Sequence, residues 1–433
     1  SRLFNKIPYF DENVEISQYP DIPNNEFTRD EILSMLAKEM LDAAEQLPAS
    51  QPEVGRIHKY IALAYAAKIK LYQAYQQDEI THAVTSINKE LLREVVSLCD
   101  QVTASNRYGL LDDFQGLDLV ANENGKESVF AIQYSMNDGT ESAGRINWSN
   151  LLNSPGGGSP YGGDGFFLPS QDLINAYQTD ANGLPDFNYQ SKSDYSWAVL
   201  NNGVYTLQNT TPNVDPRLDF VVGRPTITWK TYPDKPCEGW VRDKDTYGYN
   251  CAKRFWVSPE SSDMFNGWPW GASQLNWQII RYADILLWKA EALIELNEGD
   301  GLETARDLIN QIRNRARNSA YVKDFNDHSK YAANYLVNPY PADVWNQDYA
   351  RQALRWETRL EKALEGERFF DLVRWGIVET TMNNYITAES DNRIYYANAH
   401  FTGGKDEYYP VPNNQYGFSG GKYVQNPGYA PFN

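Results

Sequence analysis

Cysteine is scarce in this 433-residue chain, with 3 copies, and histidine nearly so, with 4. Three cysteines make no zinc framework, and His58, His82, His328 and His400 are scattered without ligand spacing, so neither a metal nor any other cofactor is expected. Cys99 lies in the helical pattern LLREVVSLCDQV and reads as a small core residue. Cys237 and Cys251 bracket a loop, and spacing alone leaves open whether they are joined. Positive charge is also short: 39 Lys and Arg face 57 Asp and Glu, a net charge of −18. Such a surface repels phosphate backbones and anionic lipid, which argues against nucleic acid and direct membrane adsorption. No apolar run is long enough to cross a bilayer, and the opening SRLFNKIPYF lacks the layout of a secretion signal. The chain is therefore expected to be either cytosolic or stripped of a targeting segment. The glycine-rich SPGGGSPYGGDG has neither the lysine nor the strand-loop-helix setting of a phosphate loop.

Aromatic residues, in contrast, are plentiful: 12 Trp, 30 Tyr and 17 Phe make up 14% of the chain, enough that some must sit near water. Their placement follows a change of character along the sequence. The first part, 1–109, is helical. Thr28 and Glu31 form a capping box, Phe27 and Ile32 occupy the staple positions, and Ile32, Leu36, Met40, Ala43 and Leu47 trace one face up to Pro48. IHKYIALAYAAKIKLYQAYQQ and INKELLREVVSLCDQVTAS follow as further helices, and their small residues against large ones suit close helix packing.

From 110 to 278 glycine, proline, asparagine and aromatics dominate, with one strand expected where Val129, Ala131 and Gln133 alternate with Phe130, Ile132 and Tyr134. So long a loop-rich stretch is commonly functional or mobile, and its aromatics argue for function. Helical order returns over 279–433. Ala283, Leu286, Leu287, Ala290 and Leu293 form a stripe, repeated by Ala305, Leu308, Ile309, Ile312 and Ala316 after an Asn/Gly/Asp turn. This is a helical hairpin of tetratricopeptide size, and no single hairpin buries its own stripe. The expected fold is mainly α: stacked tetratricopeptide-like hairpins from both ends of the chain form a scaffold, with the loop-rich segment laid over it in one compact unit.

The next block is YARQALRWETRLEKALEGERFFDLVRWG. Its Glu357, Arg359, Glu361, Leu364, Glu365, Gly366, Arg368, Phe370, Asp371, Leu372, Arg374, Trp375 and Gly376 resemble the C-terminal signature of the SusD/RagB family of outer-membrane nutrient-binding lipoproteins. FFLPSQDLINAY, DPRLDFVVG, RYADILLWKAEALIEL with ARDLINQIRNRAR, and the closing YYPVPNNQYGFSGGKYVQNPGY are similar to that family's stretches and stand in its order. Thr358 departs, standing where the family usually has arginine, and the family's first helices and lipid-bearing cysteine have no counterpart in this chain. The resemblance implies a partner, a SusC-like TonB-dependent transporter, and a location, facing outward on the outer membrane by a lipid anchor upstream. Read from residues alone, Glu357, Glu361, Glu365 and Glu367 with Arg359, Lys362 and Arg368 suggest ion pairs at three- and four-residue spacing along one helix, beside a buried helix end at Phe369, Phe370, Leu372, Val373 and Trp375.

A sugar ring has an apolar face edged with hydroxyls, so it packs on Trp or Tyr while nearby polar groups fix its orientation. Trp268 and Trp270, held by Pro269 and flanking glycines, are the preferred platform with Asn266; Trp229, Trp240, Trp148, Tyr161, Trp197 and Asp164 are further candidates. For any single ring the competing reading is burial, and Trp288, Trp356 and Trp375 on helices are assigned to the core. The carboxylates of Asp164, Asp243 and Asp245 sit on loops, and acidic loop residues are usually just solvated, so binding of an oligosaccharide without catalysis is expected. The rival readings are a peptide binder of the same family, a protein-binding helical adaptor and a glycoside hydrolase.

Overall fold

The computed structural model describes residues 2–432 except 141–143, 149, 154–155, 157, 196–197, 202–203, 208–211, 231–238 and 268–270. Its first helices are α1 (Arg29–Gln46), α2 (Lys59–Ala74) and α3 (Lys89–Ala104). The capping box starts α1 as the sequence indicates: Glu31 N–H donates to Thr28 Oγ1 at 3.2 Å while Thr28 N–H donates to Glu31 at 2.8 Å. α2 packs between α1 and α3. Its buried Ala62, Ala64, Ala66 and Ala67 let both neighbours approach closely.

The middle of the chain contains α4 (Gln171–Ala176), α5 (Arg217–Val221) and α6 (Lys244–Tyr247), together with short strand pairs. Strand Ser128–Ile132 pairs antiparallel with Trp277–Arg281, Ala131 facing Gln278, and so clasps the two ends of the loop-rich segment. The second strand runs directly into α7 (Tyr282–Leu296), where Asp284 accepts the Arg281 N–H at 2.7 Å.

α7 and α8 (Gly301–Asn318) form the expected hairpin, its turn relying on Asn297 at φ 51°. α3 packs on α7, and α7 on α8 and α9 (Gln347–Glu361), so helices from the two ends of the sequence stack together. One core holds Leu92, Val95 and Cys99 of α3, Ile285, Trp288 and Ala292 of α7, and Leu372 and Trp375 at the end of α10 (Arg368–Arg374). α11 (Val378–Ser390) and α12 (Asn413–Phe418) complete the chain.

Two expectations about the signature block change. It is not one helix: α9 ends at Glu361, and Leu364 at φ 67° and Gly366 at φ 81° turn the chain before α10. Nor do its glutamates chiefly pair along the helix. Only Lys362–Glu365 is close at that spacing, and it lies in the turn after α9; Glu357 and Glu361 are fully buried and meet arginines brought from elsewhere. Arg217 donates to Glu357 at 2.6 Å and Arg313 joins it at 3.0 Å, while Arg281 reaches Glu361 at 3.0 Å, Glu365 at 2.7 Å and Glu127 at 2.8 Å. A carboxylate with no water around it must be paired, and arginine's planar fork satisfies several oxygens at once. These pairs bolt the loop-rich segment, through Glu127, Arg217 and Arg254, to α9 and the turn that follows it.

Candidate functional site

Within the loop-rich segment the chain makes a hairpin at 263–274. Phe265 N–H donates to Ala272 O at 2.8 Å, Gln274 N–H to Asp263 O at 3.1 Å, and Met264 bridges Ser273. On its other side Ser273 O accepts from Asn147 N–H at 2.8 Å. Trp148 therefore follows directly on a residue hydrogen-bonded to this hairpin, and it is 45% exposed. The tip carries the exposed Asn266; Trp268 and Trp270, between Gly267 and Gly271, lie outside the described residues.

The hairpin stands on a buried aromatic cluster of Tyr161, Trp229, Trp240 and Trp256. Tyr161 and Trp256 centroids are 4.7 Å apart and those of Trp229 and Trp240 5.0 Å. Hydrogen bonds fix the rings: Trp229 Nε1–H donates to the Tyr161 hydroxyl at 2.9 Å, which donates to Val257 O at 2.7 Å. Gly271, at φ +79°, presses onto this cluster, and a Cβ there would lie 2.9 Å from Tyr161 Cβ. Only glycine allows that approach.

Alongside, Arg242 ties down the 156–166 loop, pairing with Asp164 at 3.2 Å and donating to Gly163 O at 2.8 Å. A cleft of about 850 Å³ opens at the foot of the hairpin, bounded by Asp263 and Glu260 on one side and by Leu119, Asp118 and Lys230 on the other. That volume suits a ligand of a few sugar rings. Beside it, burial pushes the Glu123 carboxyl up to about 7 against the lowering effect of the Asn276 N–H, and the charge of Asp263 adds to the rise. The group is thus a carboxylic acid for part of its time at neutral pH, able to donate a hydrogen bond.

Sequence comparison matches residues 126–429 to the SusD family. The chain belongs to the SusD family. No curated protein shows a significant match. Among solved structures, a SusD-like protein from Bacteroides fragilis is 21% identical, with a TM-score of 0.66 over 99% of this chain and 76% of its own. A laminarin-binding SusD-like protein is 20% identical, with a TM-score of 0.62 over 99% and 75%. The surface glycan-binding protein A of Bacteroides uniformis is 17% identical, with a TM-score of 0.61 over 98% and 74%. At such identities the likeness speaks for the fold, which is the mainly helical one expected.

In this SusD-family chain the residues singled out from sequence separate into groups. Trp148, Asn266 and Asp164 are exposed on the loop face. Tyr161, at 1% exposure, Trp229, at 1%, and Trp240, at 3%, are instead the floor under that face and offer no open ring to a ligand. Their rings pack inward because the long loops carry only short helices and two-stranded pairs, and indole supplies much of the core these cannot. Trp268, Trp270 and Trp197 lie outside the described residues, as does Cys237; Cys251 is buried with Sγ 3.6 Å from Gly223 O. Trp288 and Trp375 are buried as expected, and Trp356 partly so.

Sequence reasoning passed over Arg242, Trp256 and Phe166, the last 73% exposed beside Asp164. It also missed Tyr247 and Tyr395, both exposed, with centroids 6.2 Å apart although one lies in the loop segment and the other near the C terminus. The run GDGFF held a signal for Phe166: a bulky ring among flexible, polar neighbours. Nothing local marks the Tyr247–Tyr395 pair.

Proposed function

We propose that this protein binds an oligosaccharide on its loop face at the cell surface and passes it unchanged to a SusC-like TonB-dependent transporter, held at the outer membrane by a lipid anchor upstream of this chain. The observation that carries the reading is Trp148: a half-exposed indole on backbone hydrogen-bonded to a braced hairpin that has a cleft at its foot. The exposed Asn266, Asp164 and Arg242 are assigned to the sugar's hydroxyls, and Trp268 and Trp270 remain candidates from the sequence for further stacking. A rigid aromatic surface loses little entropy when a sugar lies on it, while the acids and lysines of the cleft fix orientation. Family membership supports the transporter and the anchor; the laminarin-binding and surface glycan-binding relatives support a glycan ligand. Among the described residues no helix is long and apolar enough to cross a membrane.

The test is calorimetric titration of the purified protein with a neutral polysaccharide panel, laminarin included, and with a peptide mixture, while reducing ends are assayed. Saturable heat from one polysaccharide with no new reducing ends is the expected result. Heat from peptides alone, or released sugar, would overturn it.

A further inference from the structure

Tyr247, at the end of α6, and Tyr395, in the turn after α11, are 45% and 52% exposed, and their ring centroids are 6.2 Å apart. The planes are inclined at 42°, so neither ring covers the face of the other. Both rings are braced. The Asp243 carbonyl accepts the Tyr247 N–H at 2.9 Å and its carboxylate the Thr246 N–H at 3.1 Å, which fixes the single turn of α6. Tyr395 packs on Tyr396 with centroids 4.6 Å apart, and the Tyr396 hydroxyl lies 3.1 Å from that of Tyr385 on α11. The Arg393 guanidinium lies against Gly248, in the space a Cβ would take, and so joins the two segments.

A continuous path of contacts links this pair to Trp148. Leu151 N–H donates to Trp148 O at 3.3 Å, and the next residue, Leu152, accepts at its carbonyl the N–H groups of Asp164 and Phe166 at 3.3 and 3.1 Å. Asp164 pairs with Arg242, and from Arg242 a single helical turn, a rise of about 5.4 Å, leads to Tyr247. Exposed side chains mark every step: Trp148, Leu152, Phe166, Arg242, Tyr247 and Tyr395.

The chemistry around the pair selects its occupant. A stable protein interface takes roughly 20–30 residues a side, whereas the large apolar side chains that these two segments expose are Tyr247, Ile394 and Tyr395. At their rim stand polar groups: Arg393, Asn392 and, 3.4 Å from the Asn392 amide, Asp194. Open aromatic faces edged with donors and acceptors match a sugar ring, which is apolar on its face and hydroxylated at its edge. We propose that Tyr247 and Tyr395 form a second sugar platform, and that the glycan is an extended chain of rings laid from Trp148 past Phe166 and Arg242 to this pair. The inference rests on the loop-face reading and adds to it a ligand class, oligosaccharides too long for one platform.

The test titrates the full chain and its variants calorimetrically with laminari-, malto-, xylo- and manno-oligosaccharides, each from the trisaccharide to the octasaccharide. In a series that binds, affinity is expected to climb with length. Tyr247→Ala and Tyr395→Ala are each expected to weaken the octasaccharide roughly tenfold and to leave the trisaccharide unchanged. Tyr395→Phe keeps the ring and with it the octasaccharide affinity. Because both tyrosines are half-exposed, the alanine variants are expected to melt with the parent, which shows that they fold. Trp148→Ala weakens every length, so a failure of the loop site and a failure of the pair look different. No binding in any series overturns the loop-face reading and this one with it. Affinity that does not grow with length, or octasaccharide affinity undiminished in both alanine variants, overturns the platform alone and leaves its rings to a protein neighbour.

Discussion

Arg217 and Glu357 lie 2.6 Å apart with neither side chain reaching solvent, although 140 residues separate them. Arg217 belongs to the loop-rich segment and Glu357 to the scaffold, and Arg313 approaches the same carboxylate from α8 at 3.0 Å. Removing one member leaves the others charged in a dry interior, where the cost exceeds what the pair itself contributes. Glu357→Ala is therefore expected to lower stability by about 3–5 kcal/mol. Urea unfolding measures it; a loss under 1 kcal/mol would show that water enters the network.

Trp148 and Trp229 are both loop indoles and should behave oppositely. Trp148→Ala removes a half-exposed ring, so glycan affinity is expected to fall about tenfold while stability stays within roughly 0.5 kcal/mol. Trp229→Ala empties part of the buried floor and is expected to cost about 3–5 kcal/mol. Paired calorimetry and thermal melts distinguish them, and identical profiles for the two variants would refute the division between floor and face.

Gly271 tests how the hairpin is braced. Gly271→Ala places a side chain at φ +79° and within 2.9 Å of Tyr161, so either the hairpin or the aromatic floor has to move. The expected result is a lower melting temperature together with weaker glycan binding. Gly239→Ala, also at positive φ but with open space around it, is the control for backbone strain alone.

Acidification should weaken the fold through Glu361. Burial alone would raise its pKa, but Arg315, Arg281 and Arg217 overcome that and hold it at about 2, below its ordinary 4.5. A carboxyl depressed in the folded state contributes its full stability above 4.5 and loses it as pH falls toward 2. Melting temperatures are expected to drop across that window, and less steeply in Glu361→Gln.

Glu123 works in the other direction. Its folded pKa of about 7 lies above the ordinary 4.5, so the folded state is penalised progressively as pH rises through that interval. Glu123→Gln keeps an acceptor for the Asn276 N–H without the charge. A higher melting temperature than the parent at pH 8, with none of that gain at pH 4, is the expected outcome.

The helices were legible because their signals are local: the Thr28–Glu31 box, the alanines of α2 and the paired stripes of α7 and α8 each lie within a few turns. The site was legible in part. A loop dense in tryptophan announces an aromatic feature, but an indole that lies on a sugar and one that fills a floor have the same neighbours in sequence. Trp148 and Trp229 were therefore told apart only by burial. The signature glutamates mislead for a related reason. Spacing of three and four allows pairs along a helix, and whether they form depends on which arginines arrive from elsewhere.

By itself the sequence determined the family, the helical scaffold, the acidic surface and the place where aromatics gather, since each follows from short-range pattern or composition. Tertiary structure alone decided which rings face water, which distant arginines neutralise Glu357 and Glu361, and that Tyr247 and Tyr395 meet on one surface. The physical reason is that exposure and charge pairing belong to the packed chain: desolvation acts on whatever segments folding brings together, however far apart they lie in sequence.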